Sequence, residues 1–289
     1  MSLTLVSGRR TQTAVSIAVT SGKGGVGKTS VATNLAIAIA RLARRVALVD
    51  GDFALGNIDV RLGLQPTAHL GDVLAGACSI DGVMVPGPYG VDIVPAASGD
   101  RGLCHLNTAQ WARLSDALAD AARGRDFVIV DTATGVSDTV IDLIGLTDYA
   151  LVVTSHEPAA LVDAYAIVKL LSAADRTREI GIVVNKVRDA AEADVVFRQI
   201  SSAAGRFLGR TLRYDGFVVD DPEIRIAAIG QVPVAAGAFD GPGCRCFRRL
   251  ASRLAGAQPG PPRPGLSPAI WSVSATEATA TCPEAPRCA

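Results

Sequence analysis

The sequence has few of the features that mark membrane, secreted or strongly charged proteins. No stretch approaches 18 apolar residues without a charge, so no transmembrane helix is predicted. Residues 1–12 include two arginines but lack the apolar run of a signal peptide, and a cytoplasmic location is therefore expected. Basic and acidic side chains both total 28, so the formal net charge is zero and no overall field favours nucleic acid or anionic lipid.

Cysteine is also scarce. Six cysteines are scattered through 289 residues, which is not the density of a disulfide scaffold. Cys244, Cys246, Cys282 and Cys288 could nominally supply four thiolate ligands, but their spacing fits no zinc pattern. Free thiols are the expectation.

Short β-branched apolar runs recur along the chain. They predict strands at residues 15–19, 45–49, 91–94, 127–130, 150–153, 181–184 and 216–219. Most are continuously apolar, which is typical of parallel strands covered on both faces. The chain is long enough to bury one large core, so a single domain over residues 14–257 is expected, after a short extension at 1–13. The Pro-rich composition of 258–289 predicts a disordered tail.

Helical periodicity lies between the predicted strands. A stripe of Val31, Leu35, Ile39 and Leu42 predicts a helix over 30–44. A second stripe of Leu161, Tyr165, Val168 and Leu171 predicts a helix that begins near Pro158. Strands alternating with helices predict a doubly wound α/β fold, a mostly parallel sheet with helices on both faces and ligands at the carboxyl ends of the strands.

The strongest local signal is a phosphate-binding loop. Residues 22–29 fit G-x-x-x-x-G-K-[ST] at every fixed position, after a predicted strand and before a predicted helix. Glycines allow several N–H groups to turn toward one point, and the helix N-terminus adds partial positive charge. Lys28 is expected to reach the β- and γ-phosphates of ATP, and Thr29 to ligate Mg²⁺. The expected nucleotide-binding residues are Gly22, Gly24, Gly25, Val26, Gly27, Lys28, Thr29 and Ser30.

Three aspartates are placed to complete this site. Asp131 ends the apolar run 127–130, and Asp50 and Asp52 follow the run 45–49. Such carboxylates can steady Mg²⁺ or position an attacking water, so Thr29 and the three aspartates are the predicted metal-site residues. Aspartates that merely cap loops are the alternative.

Lys23 is not needed by an ordinary phosphate loop. The run Lys23-Gly-Gly-Val-Gly-Lys28-Thr resembles the deviant Walker A signature of the MinD/ParA family of dimerising ATPases. This resemblance implies that Lys23 crosses the interface of an ATP-bound homodimer to the phosphates of the other copy. A γ-phosphate bridged by a cation in trans would stabilise the dimer only while it is present.

The resemblance covers roughly residues 14–255 and implies further roles. Residues 50–59 look like the family's switch I, in which Asp52 polarises the hydrolytic water and Asn57 supports it. Residues 131–137 look like switch II. Asn185 matches the asparagine that hydrogen-bonds adenine, and Asp220 with Pro222 resembles the segment that closes over the base.

Within the family, residues 152–165 and 55–63 look most like flagellar-number regulators of the FlhG/FleN type. In that branch the glutamate before proline contacts nucleotide sugar across the dimer, which implies this role for Glu157. A glutamate that only initiates a helix is the alternative. The resemblance thus implies an ATPase that acts on a flagellar transcription regulator or assembly protein. Turnover of the isolated chain is expected to be slow, because no arginine near the motif is an evident finger and P-loop switches typically wait for a partner.

Other functions share the same active site. A partition ATPase on nonspecific DNA, a cell-division-site ATPase and a polysaccharide-synthesis accessory ATPase all remain alternatives. Nitrogenase-type reductases need a cysteine after the Walker B strand to ligate an iron–sulfur cluster. Residues 131–140, which follow the apolar run 127–130 here, contain none. Phe247, Leu250 and Leu254 share one helical face that could bind the inner membrane surface, but docking on the core is favoured, so membrane binding is expected to be weak or absent.

Overall fold

The computed structural model describes residues 14–96 and 105–256, so the predicted extension 1–13 and tail 258–289 lie outside the described residues. The strands are β1 Val15–Ser21, β2 Val46–Gly51, β3 Val85–Pro86, β4 Asp92–Val94, β5 Phe127–Thr134, β6 Tyr149–Thr154, β7 Glu179–Val187 and β8 Arg213–Val219. They form one sheet in the order β3-β4-β2-β5-β1-β6-β7-β8. Among the strands of the described residues, only β3 and β4 pair antiparallel.

The helices are α1 Lys28–Ala40, α2 Ile58–Arg61, α3 Leu70–Ala75, α4 Ile80–Val83, α5 Thr108–Ala122, α6 Asp138–Gly145, α7 Pro158–Ala174, α8 Ala190–Leu208, α9 Pro222–Ile229 and α10 Pro242–Gly256. A short 3-10 turn covers Pro88–Gly90. The α1 and α10 helices pack on one face of the sheet. The α3, α4 and α5 helices share the other face with α6, α7 and α8.

Alternate residues of the central strands explain the two layers. Ile17 and Val19 of β1 lie in the core under α1, whereas Ala18 between them lies in the core under α7. Successive side chains of a strand point to opposite faces, so a strand that is apolar throughout is buried on both. The predicted doubly wound fold is confirmed, and all seven predicted strands are present. The two-residue edge strand β3 was not predicted, because two residues are too few to form a strand pattern.

The two helical stripes were only partly right. The α1 helix ends at Ala40, and Leu42 lies beyond it with 44% of its surface exposed, so its place in the first stripe was wrong. Ten consecutive residues of α1, from Val31 to Ala40, are buried, because the sheet covers one side and α10 another. The apolar periodicity of α1 therefore does not show which face of the helix contacts the sheet. In α7, Leu161 and Tyr165 are only half-buried, whereas Ala160 and Ala164 are buried.

The α10 helix docks on the core. Phe247, Leu250 and Leu254 are buried against α1 and β8, as the favoured interpretation predicted. Their apolar surface is therefore already covered by the protein itself. Within the described ranges, no helix combines the length and the apolar character needed to cross a bilayer.

Candidate functional site

The loop between β1 and α1 lies at the carboxyl edge of the sheet, where β1 sits between β5 and β6. Its backbone turns sharply at Gly25 (φ +82°) and Gly27 (φ +92°), a conformation that favours glycine. A Cβ on Gly27 would lie 2.3 Å from the side-chain nitrogen of Asn185. A Cβ on Gly24 or Gly25 would meet nothing within 4 Å. The loop is therefore packed against Asn185 at Gly27 and open at Gly24 and Gly25.

Neighbouring elements fix both ends of this loop. A Cβ on Gly22 would lie 2.4 Å from the backbone oxygen of Asp163, so only glycine lets α7 approach this closely. The N–H of Gly135, after β5, donates to the carbonyl of Ser21 over 2.9 Å. Ser30 lies in the first turn of α1, where its carbonyl accepts from Asn34 over 2.8 Å. The loop, α7 and the predicted switch II segment thus form one packed unit.

A buried ion pair lies under the loop. The Lys28 ammonium donates to Asp131 Oδ1 over 2.7 Å, and the two side chains are only 6% and 2% exposed. Lys28 also lies 3.4 Å from the Thr29 hydroxyl, which bonds the same carboxylate. The β5 strand continues to Thr134, so Asp131 lies inside the strand rather than at its end as predicted. This enclosure explains its burial.

Asp50 faces Asp131 from the adjacent strand β2, since the two residues are register partners. Burial and the neighbouring Asp131 carboxylate raise the pKa of Asp50 to about 7. Burial also raises the pKa of Asp131, against the opposing effect of Lys28. The floor of the site, formed by Lys28, Asp50 and Asp131, holds two carboxylates and one ammonium. When Asp50 ionises, one negative charge is left over, which a divalent cation can balance.

The predicted switch I segment wraps around Asp50. Asp50 Oδ2 accepts from the N–H of Ile58 over 3.0 Å, and its Oδ1 accepts from the N–H of Asp52 over 3.2 Å. Asp52 in turn accepts from Leu55 N–H over 3.0 Å. Asn57 precedes α2, and its side-chain oxygen accepts from Arg61 over 2.8 Å. Asp52 and Asn57 therefore belong to one loop that folds onto the Asp50 carboxylate.

Lys23 lies on the open rim of the loop and pairs with Glu157. The two side chains are 33% and 50% exposed. The hydrogen bond from Lys23 lowers the pKa of Glu157. Glu157 occupies the N-cap position of α7, but its side chain caps no backbone N–H. The Glu157 carboxylate is thus bonded to Lys23 rather than to the first turn of α7.

Asn185, predicted for adenine, lies beside the loop at the carboxyl end of β7. Its amide nitrogen donates to the Val26 carbonyl over 2.7 Å, and its side chain is buried. Asp220 and Pro222 follow the neighbouring strand β8, and Asp220 N–H donates to Val187 at the end of β7 over 2.8 Å. The three predicted base-contact residues thus lie on adjacent strand ends.

Among the described residues, no three His, Cys, Asp or Glu side chains gather into a cluster that could hold a metal ion. The predicted set of Thr29, Asp50, Asp52 and Asp131 therefore does not form a cage of protein ligands. Mg²⁺ commonly binds through one or two carboxylates together with substrate phosphates, so Asp50 and Asp131 are candidates for the protein part of such a site. Cys244 and Cys246 are buried free thiols, whereas Cys282 and Cys288 lie outside the described residues.

Sequence reasoning missed Lys186. Its ammonium donates to the carbonyl of Gly25 in the loop over 2.7 Å, next to the Asn185 contact. Its own carbonyl lies 3.1 Å from His156 Nδ1, and its φ is +59°. A lysine that directly follows the predicted adenine-contacting asparagine was the one available signal.

Comparisons with known proteins agree with this geometry. Residues 17–224 match the family described as the CobQ/CobB/MinD/ParA nucleotide binding domain. The chain is 41% identical over 215 residues to the antiactivator FleN of Pseudomonas aeruginosa, which covers 74% of this chain and 77% of that protein. It is 28% identical to the flagellum site-determining protein YlxH of Helicobacter pylori over 65% of this chain and 63% of that protein.

The fold also resembles a solved structure, the septum site-determining protein MinD of Pyrococcus horikoshii in complex with Mg-ADP. The two superpose with a TM-score of 0.71 at 23% identity, over 83% of this chain and 96% of that chain. At this identity the likeness speaks for the fold.

Proposed function

Because the chain belongs to the CobQ/CobB/MinD/ParA family and resembles its FleN-type branch, we propose that it is an ATPase that dimerises when ATP is bound and controls flagellar number, placement or gene expression. Members of the MinD/ParA family are P-loop ATPases, so nucleotide binding and hydrolysis are the family-level expectation. Dimerisation, the partner and the flagellar role go further and need their own support.

The observation that carries the dimer proposal is the different setting of the two loop lysines. Lys28 is buried on Asp131 and serves its own site. Lys23 lies on the rim and is one-third exposed, and among the described residues its ammonium pairs only with Glu157, which is half exposed. An exposed ion pair contributes little to stability, so Lys23 can exchange Glu157 for a stronger anion at low cost. A phosphate of a second copy is such an anion.

The floor and the loop fit Mg-ATP. The bound nucleotide would supply the electrophilic phosphorus, and Mg²⁺ would offset charge on its phosphates. Lys28 and Thr29 would hold the phosphate chain and the metal, with Asp50 and Asp131 behind them. Asp52, on the loop that folds onto Asp50, would orient the attacking water, and Asn57 would support that loop.

The base and the sugar have separate candidates. Because the Asn185 amide nitrogen already donates to Val26, its side-chain oxygen remains as an acceptor for the exocyclic amine of adenine. Asp220 and Pro222 would lie against the base. Glu157 would contact the sugar of the nucleotide bound to the other copy, once Lys23 no longer pairs with Glu157.

The rate of ATP hydrolysis per protomer tests the dimer proposal. The rate should rise with protein concentration in the wild type and stay low and constant in Lys23→Ala. A rate independent of concentration in both proteins would argue for a site that is complete within one protomer. Hydrolysis is expected to be slow until a partner protein is added, as in other P-loop switches.

The flagellar role has its own test in the source organism. Deletion of the gene should change the number or position of flagella, and the Lys23→Ala allele should behave like the deletion. A normal flagellar pattern would remove this role and leave the ATPase in place. Retardation of random duplex DNA that requires ATP and is lost at moderate salt would instead identify a DNA-borne partition function.

The cellular site follows from the same proposal. We place the protein in the cytoplasm, where the flagellar transcription regulator or assembly protein that it would engage is accessible. Peripheral contact with the inner membrane face would need a surface other than the buried face of α10.

A further inference from the structure

The end of β7 contains an irregularity that brings two consecutive side chains onto the phosphate loop. Asn185 is the register partner of Val218, and Val187 is the partner of Val219. Lys186 is therefore the extra residue of a β-bulge, and its positive φ of +59° is uncommon for a residue with a side chain. Consecutive side chains of a regular strand point to opposite faces. The bulge is what allows Asn185 and Lys186 to reach the same loop.

The two side chains bind consecutive carbonyls of the loop. Lys186 Nζ donates to Gly25 O and Asn185 Nδ2 donates to Val26 O, each over 2.7 Å. In a trans peptide the N–H points away from the C=O. Holding these two carbonyls against β7 therefore directs the N–H groups of Val26 and Gly27 toward the opposite side, the concave side of the loop.

These peptide units need such a restraint. They lie between Gly25 and Gly27, which adopt positive φ and, as glycines, populate either sign of φ with similar ease. A flip of the unit between Gly25 and Val26 would replace an N–H donor by a carbonyl oxygen at the phosphate position. The carbonyl of Lys186 lies 3.1 Å from His156 Nδ1, so the bulge itself is held from the β6–α7 connection.

We propose that Lys186 is a positioning residue for the phosphate loop, which holds the Gly25 peptide so that its neighbouring N–H groups face a nucleoside polyphosphate. This inference rests on the proposed nucleotide binding and deepens it. It assigns to the residue after the adenine-contacting asparagine a separate task, directed at the phosphates. Asn185 and Lys186 together would couple the base end of the site to its phosphate end.

The test compares ADP and AMP binding by titration calorimetry, because only ADP places a β-phosphate in the loop. Lys186→Met keeps the length of the side chain and removes the donor, and Lys186→Arg retains a donor and the charge. Lys169→Met, at an exposed position on α7, is the matched control. Lys186→Met should weaken ADP binding by roughly 10- to 150-fold, the range of a hydrogen bond from a charged group, and AMP binding by less than about twofold.

Lys186→Arg should restore most of the ADP affinity, and Lys169→Met should match the wild type. In hydrogen exchange, the amides of Val26 and Gly27 should exchange faster in nucleotide-free Lys186→Met than in the wild type. Wild-type ADP affinity in Lys186→Met would overturn the inference, and so would an equal loss for ADP and AMP. If the wild type itself binds no ADP, the proposed function fails first and the inference falls with it.

Discussion

Two parts of the candidate site, its floor and its rim, differ in burial and in how their charges are paired. The floor of the site, formed by Lys28, Asp50 and Asp131, is buried and charge-paired. The rim, formed by Lys23, Glu157 and Lys186, is exposed and held by contacts that solvent screens. Lys23 and Lys28 are five positions apart in the same motif, yet one is partly exposed and the other is buried. The proposed function assigns Lys28 to its own site and Lys23 to the other copy, so the buried floor should stabilise the fold more than the rim does.

Removal of the floor lysine should have the largest effect. Lys28→Met leaves two buried carboxylates without their cation, and loss of one partner of a buried pair costs about 3–5 kcal/mol. The free energy of unfolding, measured in urea at pH 7 without nucleotide, should fall by that amount, and ADP binding should be lost. Lys23→Met is the control and should unfold at the wild-type urea midpoint. Equal losses in the two variants would contradict the distinction between floor and rim.

The pH dependence of stability tests the floor without a change at Lys28. The pKa of Asp50 is raised from 3.8 to about 7, so the folded protein binds a proton that the unfolded chain has released. The free energy of unfolding should therefore fall as the pH rises from about 4 to about 7, and level off above that. Between pH 5 and 8 the expected loss is roughly 2–3 kcal/mol.

The raised pKa of Asp131 acts in the same direction. Urea unfolding of the nucleotide-free protein at several pH values measures the slope, and Asp50→Asn should make it shallower. A free energy of unfolding that stays constant or increases over this interval would show that Asp50 is ionised in the folded protein well below pH 7.

Two glycines sharpen the comparison within the loop. Gly27→Ala places a Cβ 2.3 Å from Asn185 Nδ2 at a φ of +92°, so it should destabilise the protein by about 1–3 kcal/mol and abolish ADP binding. Gly24→Ala, whose Cβ would meet nothing within 4 Å, should fold with wild-type stability. Thermal unfolding of both variants provides the measurement. The reverse order of stabilities would mean that the loop is packed on the other side.

The smallest effect is expected at the rim. Glu157→Gln removes the charge that pairs with Lys23, but both side chains are exposed, so the unfolding midpoint should not change measurably. The variant should instead make Lys23 more reactive toward an acylating reagent, as followed by mass spectrometry. Lys28 should stay protected in both proteins. Unchanged labelling of Lys23 would show that Glu157 does not restrain it in solution.

Much of the fold followed from sequence because its strands are buried on both faces. Continuous apolar runs such as 127–130 and 181–184 located the strands to within a few residues. The α1 helix was less accurately predicted, because the periodicity of a helix buried on nearly all sides carries no information about its end. The placement of Leu42 was wrong for this reason.

The candidate site shows a similar limit. The loop motif and the aspartates that follow the apolar runs were recognisable, and the fold brings them to one edge of the sheet. Neither the pairing of Lys23 with Glu157 nor the contact of Lys186 with Gly25 was predicted. Both contacts join segments more than a hundred residues apart. The contact of Lys186 also depends on a β-bulge that no short sequence motif predicts.

The central claim is that the rim lysine joins two copies through ATP. Its most direct test is the solution mass by light scattering with ADP and with ATP plus Mg²⁺, for the wild type, Lys23→Ala and Asp52→Ala. The account predicts that Asp52→Ala accumulates as a dimer only with ATP and that Lys23→Ala stays monomeric with either nucleotide. The same solution mass with ADP and with ATP plus Mg²⁺, in both the wild type and Asp52→Ala, would contradict it.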